Sequence, residues 1–157
     1  MPVKPIPAGY RSVTPYLAVR QAAEAIEFYR RAFGAKERMR LAAPDGKIGH
    51  AELEIGDSVI MIADEFPEMA FRGPASLGGT SVTLHLYVKN VDASFRQAME
   101  AGATAVRELQ DQFYGDRTGS VRDPFGHIWH IATHKEDVSP EELARRAAAM
   151  FEQRAKS

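Results

Sequence analysis

His50, His85, His127, His130 and His134 are the residues best suited to bind a metal or move a proton, because the chain has no cysteine. That absence excludes disulfides, thiolate metal sites and a cysteine nucleophile, leaving His, Asp and Glu as the strong ligands. Period-two alternation sorts the neighbouring side chains by face. Ile128, His130 and Ala132 share one face of a strand, with Trp129 on the other. Thr83, His85 and Tyr87 share a face, as do Thr14, Tyr16 and Ala18. In 50–55, Ala51, Leu53 and Ile55 read as the helix-facing set, which leaves His50, Glu52 and Glu54 for a cleft or solvent. A cavity holding His50, Glu52, His85 and His130, with Met61 and Tyr16 nearby, could bind Zn, Mn, Ni or Fe through three ligands and leave a position open for substrate. The same residues could equally be a polar cavity wall without metal. Arg117, in a loop after Tyr114-Gly115-Asp116, could clamp a carboxylate or phosphate, or simply be solvated. Arg122 reads as a structural pair with a nearby Asp. His127 and His134 read as turn and strand-end residues outside the site.

These residues must be held by strands, and the chain repeats its pattern to supply them. After a Pro- and Gly-punctuated lead-in (1–11), Ser12–Val19 is a β-type run. Ala22, Ile26, Tyr29 and Phe33 recur at helical spacing up to Gly34. Lys36–Ala42, His50–Ile55 and Ser58–Ala63 read as strands around the Pro44-Asp45-Gly46 and Gly56-Asp57 turns. Residues 64–80 lack a period and carry Phe66, Met69 and Phe71, as a lid, a dimer contact or filling at the module junction. The pattern then restarts: strand 81–88; helix face Val91, Phe95 and Met99, with Asp92 as N-cap and Gly102 as stop; an extended stretch at Ala103–Leu109. A loop follows at Gly115–Gly119, then a short strand at Ser120–Arg122, a turn at Asp123–Gly126, and strand His127–Thr133. Val19 aligns with Val88, Gly34-Ala35 with Gly102-Ala103, and 59–63 with 128–132, at a nearly constant offset. A repeat found first fixes the architecture. The expectation is one α+β domain of two tandem βαβββ modules (about 12–64 and 81–134, joined by linker 65–80) forming a curved mixed sheet around a cleft. Ser139-Pro140-Glu141-Glu142 then opens a further helix, 139–155, with a capping box and an apolar stripe of Leu143, Ala147, Met150 and Phe151.

Composition narrows the function classes. The 157 residues are 45% hydrophobic and 26% charged, an ordinary globular balance. A formal net charge of −1 offers no field to draw in nucleic acid or an anionic membrane. With no signal-type segment and no run long enough to span a bilayer, a cytoplasmic protein is expected. There is no phosphate-binding loop and no nucleophile elbow.

Tyr16–Val19, Ala25–Tyr29 with Phe33-Gly34-Ala35, Val88–Asp92 and Arg122–His127 resemble the vicinal oxygen chelate superfamily. This is the glyoxalase, bleomycin-resistance protein and dioxygenase family. Tyr114–Arg117 and the run Thr133–Glu142 are similar to its PhnB-like branch. The resemblance implies the glyoxalase/bleomycin-resistance fold, a small molecule bound in the cleft between modules, and a homodimer. In the family's metalloenzymes four ligand positions face the cleft. Carried over, they fall on Thr14, Met61, Thr83 and His130, of which only His130 is a good ligand. Two functions follow as expectations. The first is a binding protein that takes a small molecule without metal. The second is a divalent-metal-dependent lyase, isomerase or transferase with a displaced metal site.

Overall fold

A computed structural model describes residues 2–157. The first module runs β1 (Tyr16–Val19), α1 (Ala22–Phe33), β2 (Lys36–Ala42), β3 (Ile48–Ile55) and β4 (Ser58–Asp64). A 3-10 turn (Pro67–Met69) and a one-turn helix α2 (Pro74–Leu77) occupy the linker. The second module runs β5 (Thr83–Tyr87), α3 (Val91–Ala101), β6 (Thr104–Asp111), β7 (Asp116–Arg122) and β8 (Ile128–His134), before α4 (Pro140–Ala155). The duplication is exact at the level of topology. One sheet has the order β1-β4-β3-β2 and the other β5-β8-β7-β6, each with a parallel first pair and antiparallel others. The strands form two mixed sheets and not one continuous one. Between them lies a groove lined by Pro15 and Ile60 on one side and Thr83, Leu84 and His85 on the other.

Each helix covers one face of its sheet. Ala25, Ile26, Phe28 and Tyr29 of α1 are buried, together with Leu17, Leu53 and Ile62 of the sheet. Helices α1 and α3 also pack on each other, which joins the two layers. The join is sealed by Asp123, only 3% exposed, in the turn before β8. Its carboxylate accepts from the Tyr29 hydroxyl (2.5 Å), Trp129 Nε1 (3.0 Å) and the backbone N–H groups of Phe125 (2.9 Å) and His127 (3.0 Å). Tyr29, Phe33, Phe125 and Trp129 stack around it with ring centroids 4.5–6.4 Å apart. Burial, and then the charge of Asp123, push the Tyr29 hydroxyl well above its ordinary pKa, so it remains a proton donor.

Local expectations are corrected in four places. Strand β1 begins at Tyr16 and not Ser12, because Pro15 has no N–H and contributes only its carbonyl, to Met61 N–H (2.9 Å). Strand β7 starts at Asp116, so Gly119 is a strand residue: a Cβ there would sit 2.7 Å from the Phe95 ring of α3. Asn90, not Asp92, caps α3, accepting from Ala93 N–H at 3.1 Å. In α4, Ser139 accepts from Glu142 N–H (3.2 Å), but the Glu142 carboxylate turns to Arg145 and Arg146 in place of closing the capping box. No helix among the described residues is long and apolar enough to cross a membrane.

Asp123→Ala leaves several buried donors without an acceptor and is expected to cost about 3 kcal/mol or more in urea unfolding, whereas Tyr29→Phe, which removes one donor, costs about 1 kcal/mol. Equal effects of the two changes would show that the carboxylate does not hold the modules together.

Candidate functional site

Cross-strand register sets the chemistry of the faces turned away from the helices. In the second module His85 lies abreast of His130, which lies abreast of Ser120, which lies abreast of Arg107. The next row is Tyr87, Ala132 and Thr118. The two imidazole centroids are 6.0 Å apart. Ser120 Oγ hydrogen-bonds His130 Nδ1. Burial, followed by Coulomb repulsion from the His85 and Arg107 side chains, lowers the pKa of His130, which favours its neutral ring. The Ser120 contact occupies Nδ1, so His130 Nε2 is the ring nitrogen left for a ligand. These residues line a cavity of about 460 Å³ with Phe113, Tyr114, Thr118, Gln110 and Gln112. Helix α4 closes one side through Met150 and Arg154. It is pinned there by Arg146, which donates to the Phe113 carbonyl (3.0 Å) and to Glu136 (2.7 Å).

The first module carries a separate cluster. Tyr16, Met61 and Glu52 are abreast across β1, β4 and β3, and His50 follows on the same face. Tyr16 Oη lies 2.6 Å from His50 Nδ1, and His50 Nε2 lies 3.2 Å from Glu52 Oε2. The lead-in segment folds back over this face. The Tyr10 hydroxyl is buried without a regular hydrogen-bond partner and faces Glu52, and burial and then Glu52 push its pKa to about 12. In turn the Tyr10 hydroxyl, then His50 and Arg38, hold Glu52 below the usual carboxylate range. Burial raises Tyr16.

The expected cluster of His50, Glu52, His85 and His130 therefore divides. The cavity at His85 and His130 is walled by the second module and α4, and the pocket at Tyr16 by the first module and the linker. Among the described residues no three of His, Asp or Glu converge on one point as metal ligands. Register also shifts the carried-over set: Met61 is abreast of Tyr16, not Thr14, and Thr83 is abreast of Ile128 while His85 meets His130. Two imidazoles, a phenol and a thioether do not fit the family's divalent metal.

Arg117 is not in a cleft. It lies abreast of Thr133 on the helix side, bonded to Asp92 at the start of α3 (3.0 Å) and to Asp111 (3.2 Å). These pairs raise Arg117 and lower Asp92. His127 sits at the turn, as read from the sequence, but it is buried there, and its Nε2–H donates to the Ala18 carbonyl of β1 (3.1 Å), a second tie between modules. His134 is no bystander either. Nδ1–H meets Asp116 at 2.7 Å and Nε2–H meets Asp137 at 2.8 Å, while Tyr87 donates to the other Asp116 oxygen (2.8 Å). Asp116 itself is 4% exposed. The network joins a cavity-face tyrosine to the segment that leads into α4. The spacing Tyr114–Arg117 drew attention to this loop for its arginine, whereas the buried acid beside it is the residue that organises it.

The chain belongs to the Glyoxalase/Bleomycin resistance protein/Dioxygenase superfamily, whose family model matches residues 11–131. An uncharacterised protein of Mycobacterium bovis is 47% identical over 135 residues, covering 84% of this chain and 89% of that protein. The crystal structure of TioX from Micromonospora sp. ML1 superposes with a TM-score of 0.60 at 27% identity, covering 82% of this chain and all (100%) of that one. A PhnB protein from Bacillus cereus shares the fold, with a TM-score of 0.63 at 16% identity over 78% of this chain and 99% of the other.

His134 makes a pH test available. Its pKa is raised, first by Asp116 and then by Asp137, so its charged form favours the folded state. That contribution is fully present below the ordinary imidazole value of about 6.5 and is lost as pH rises through the higher folded value. Urea unfolding of the protein and of His134→Gln at about pH 6 and about pH 9 should therefore differ most at the lower pH and converge at the higher. A constant difference would remove His134 as an ion-pair partner.

Proposed function

We propose that the protein binds an amphipathic, anionic small molecule in the second-module cavity, without metal. The observation that carries the reading is the lining itself. Arg107 and Arg154 both line this cavity, and among the described residues neither is engaged in an ion pair and Glu108 is the one acid on its wall. Beside them, Phe113, Tyr114 and Met150 offer flat and adaptable apolar surface, and His130 and Thr118 offer hydrogen bonds. A planar carboxylate between guanidinium groups makes paired charge-assisted bonds. The superfamily's bleomycin-resistance members are the family context for a binding role, and TioX is a structural relative by fold. The protein acts in this reading as a homodimer. Val13 and Val82, 87% and 65% exposed beside the groove between the sheets, are apolar surface that a second copy would cover.

The test uses 2-naphthoate as probe. It is expected to raise the melting temperature of metal-free protein, since a ligand that binds only the native state stabilises it. Arg107→Ala should weaken binding by about tenfold. A response that appears only after Zn, Mn, Ni or Fe is added, with about one ion retained per chain, would replace this reading with the metal-dependent one. Sedimentation tests the assembly: the unaltered protein should run as a dimer and Val82→Asp as a monomer.

A further inference from the structure

The cluster in the first module has a direction that can be worked out bond by bond. Glu52 is held ionised and can only accept, so His50 Nε2 donates to it. In the neutral ring Nδ1 is then an acceptor, and Tyr16 gives its hydroxyl proton to it. The Tyr16 oxygen has thereby used its only hydrogen and presents lone pairs alone. Tyr16 is 43% exposed and lines a hollow of about 530 Å³ with Gly49, Ala63, Phe66, Met69 and Phe71.

The linker builds the outer wall of that hollow. Phe66 and Phe71 pair through both backbone N–H groups (2.8 and 3.1 Å), closing the loop around the Pro67–Met69 turn. Ala70 adopts a left-handed φ of 58° to complete it, and Met69 is 75% exposed at its tip. The Phe71 ring stands edge-on to Tyr16 at 5.2 Å, and the His50 ring does so at 5.3 Å. Among the described residues no charged side chain lines the hollow. An ionised ligand would lose hydration there and gain no counter-charge, whereas an aromatic ring gains contact with Phe66, Phe71 and Met69.

We propose that this pocket is a second binding site, separate from the second-module cavity, for a neutral aromatic molecule whose hydroxyl or N–H donates a hydrogen bond to Tyr16 Oη. The Tyr16–His50–Glu52 chain sets the polarity of recognition, and the 66–71 loop supplies the apolar grip. Ligands that can only accept a hydrogen bond are rejected, because both they and Tyr16 would then present lone pairs.

Fluorescence titration at about pH 8, above the ordinary imidazole range, compares 2-naphthol with 2-methoxynaphthalene, which has the same ring but no donor. The protein should prefer 2-naphthol by about tenfold, the size of one buried hydrogen bond. Tyr16→Phe should abolish the preference, weakening 2-naphthol by loss of its acceptor and relieving the lone-pair repulsion on 2-methoxynaphthalene. His50→Ala frees the Tyr16 hydroxyl to donate, so it should narrow the preference by tightening 2-methoxynaphthalene, a change that loss of structure cannot produce. Met69→Arg should weaken both ligands, and excess 2-naphthoate should displace neither, which separates this site from the cavity proposed above. Equal affinities in the unaltered protein, a preference that survives Tyr16→Phe, or displacement of 2-naphthol by 2-naphthoate would each overturn the assignment.

Discussion

The architecture turns on a buried carboxylate. Each sheet of four strands is covered on one face by a helix that is also packed against the other module's helix. Asp123 sits where these layers meet and gathers a phenol from α1, an indole from β8 and two backbone amides of its own turn. A buried charge is tolerable only when its acceptor capacity is used, and here four donors use it. The same turn directs His127 onto the Ala18 carbonyl, so one short segment ties the second module both to α1 and to β1 of the first.

That tie has a consequence for the chemistry. Because the modules are joined on their helix sides by Asp123 and its aromatic neighbours, the faces that carry His50 with Glu52 and His85 with His130 open into separate spaces within one chain. The histidines then take different parts. His130 is a ring biased toward its neutral form, paired with Ser120 and shadowed by Arg107; His50 is the middle of a chain running from Glu52 to Tyr16. Chain segments outside the sheets complete both spaces. Helix α4 walls one through Met150 and Arg154, and the linker walls the other through Phe66, Met69 and Phe71.

Much of this was legible from residue types and order. The repeat of Val19 with Val88 and of Gly34-Ala35 with Gly102-Ala103 gave the paired modules, since hydrophobic period and turn residues are local properties of the chain. Alternation gave the facing of His50 and Glu52 against Ala51 and Leu53, and the register agrees. The glycines were harder to read. Gly119 resembles a loop residue in sequence, yet it is needed because Phe95 crosses the strand at that point, a contact that exists only once α3 has packed. Arg117 resembled a ligand clamp because its loop is polar; the acids that neutralise it, Asp92 and Asp111, lie on other elements and meet it only in the folded chain.

What the sequence determined by itself is therefore the set of elements, their duplication, and the sparse inventory of side chains able to do chemistry. Those follow from periodicity and composition, which act over a few neighbouring residues. The tertiary structure alone decided which of those side chains meet. Strand register brought His85 abreast of His130 and Tyr16 abreast of Met61, and the seal at Asp123 set the two groups apart. The buried acids Asp116 and Asp123 became organising residues only there, because a carboxylate's role depends on donors drawn from distant parts of the chain, and their convergence is a property of packing that no local pattern records.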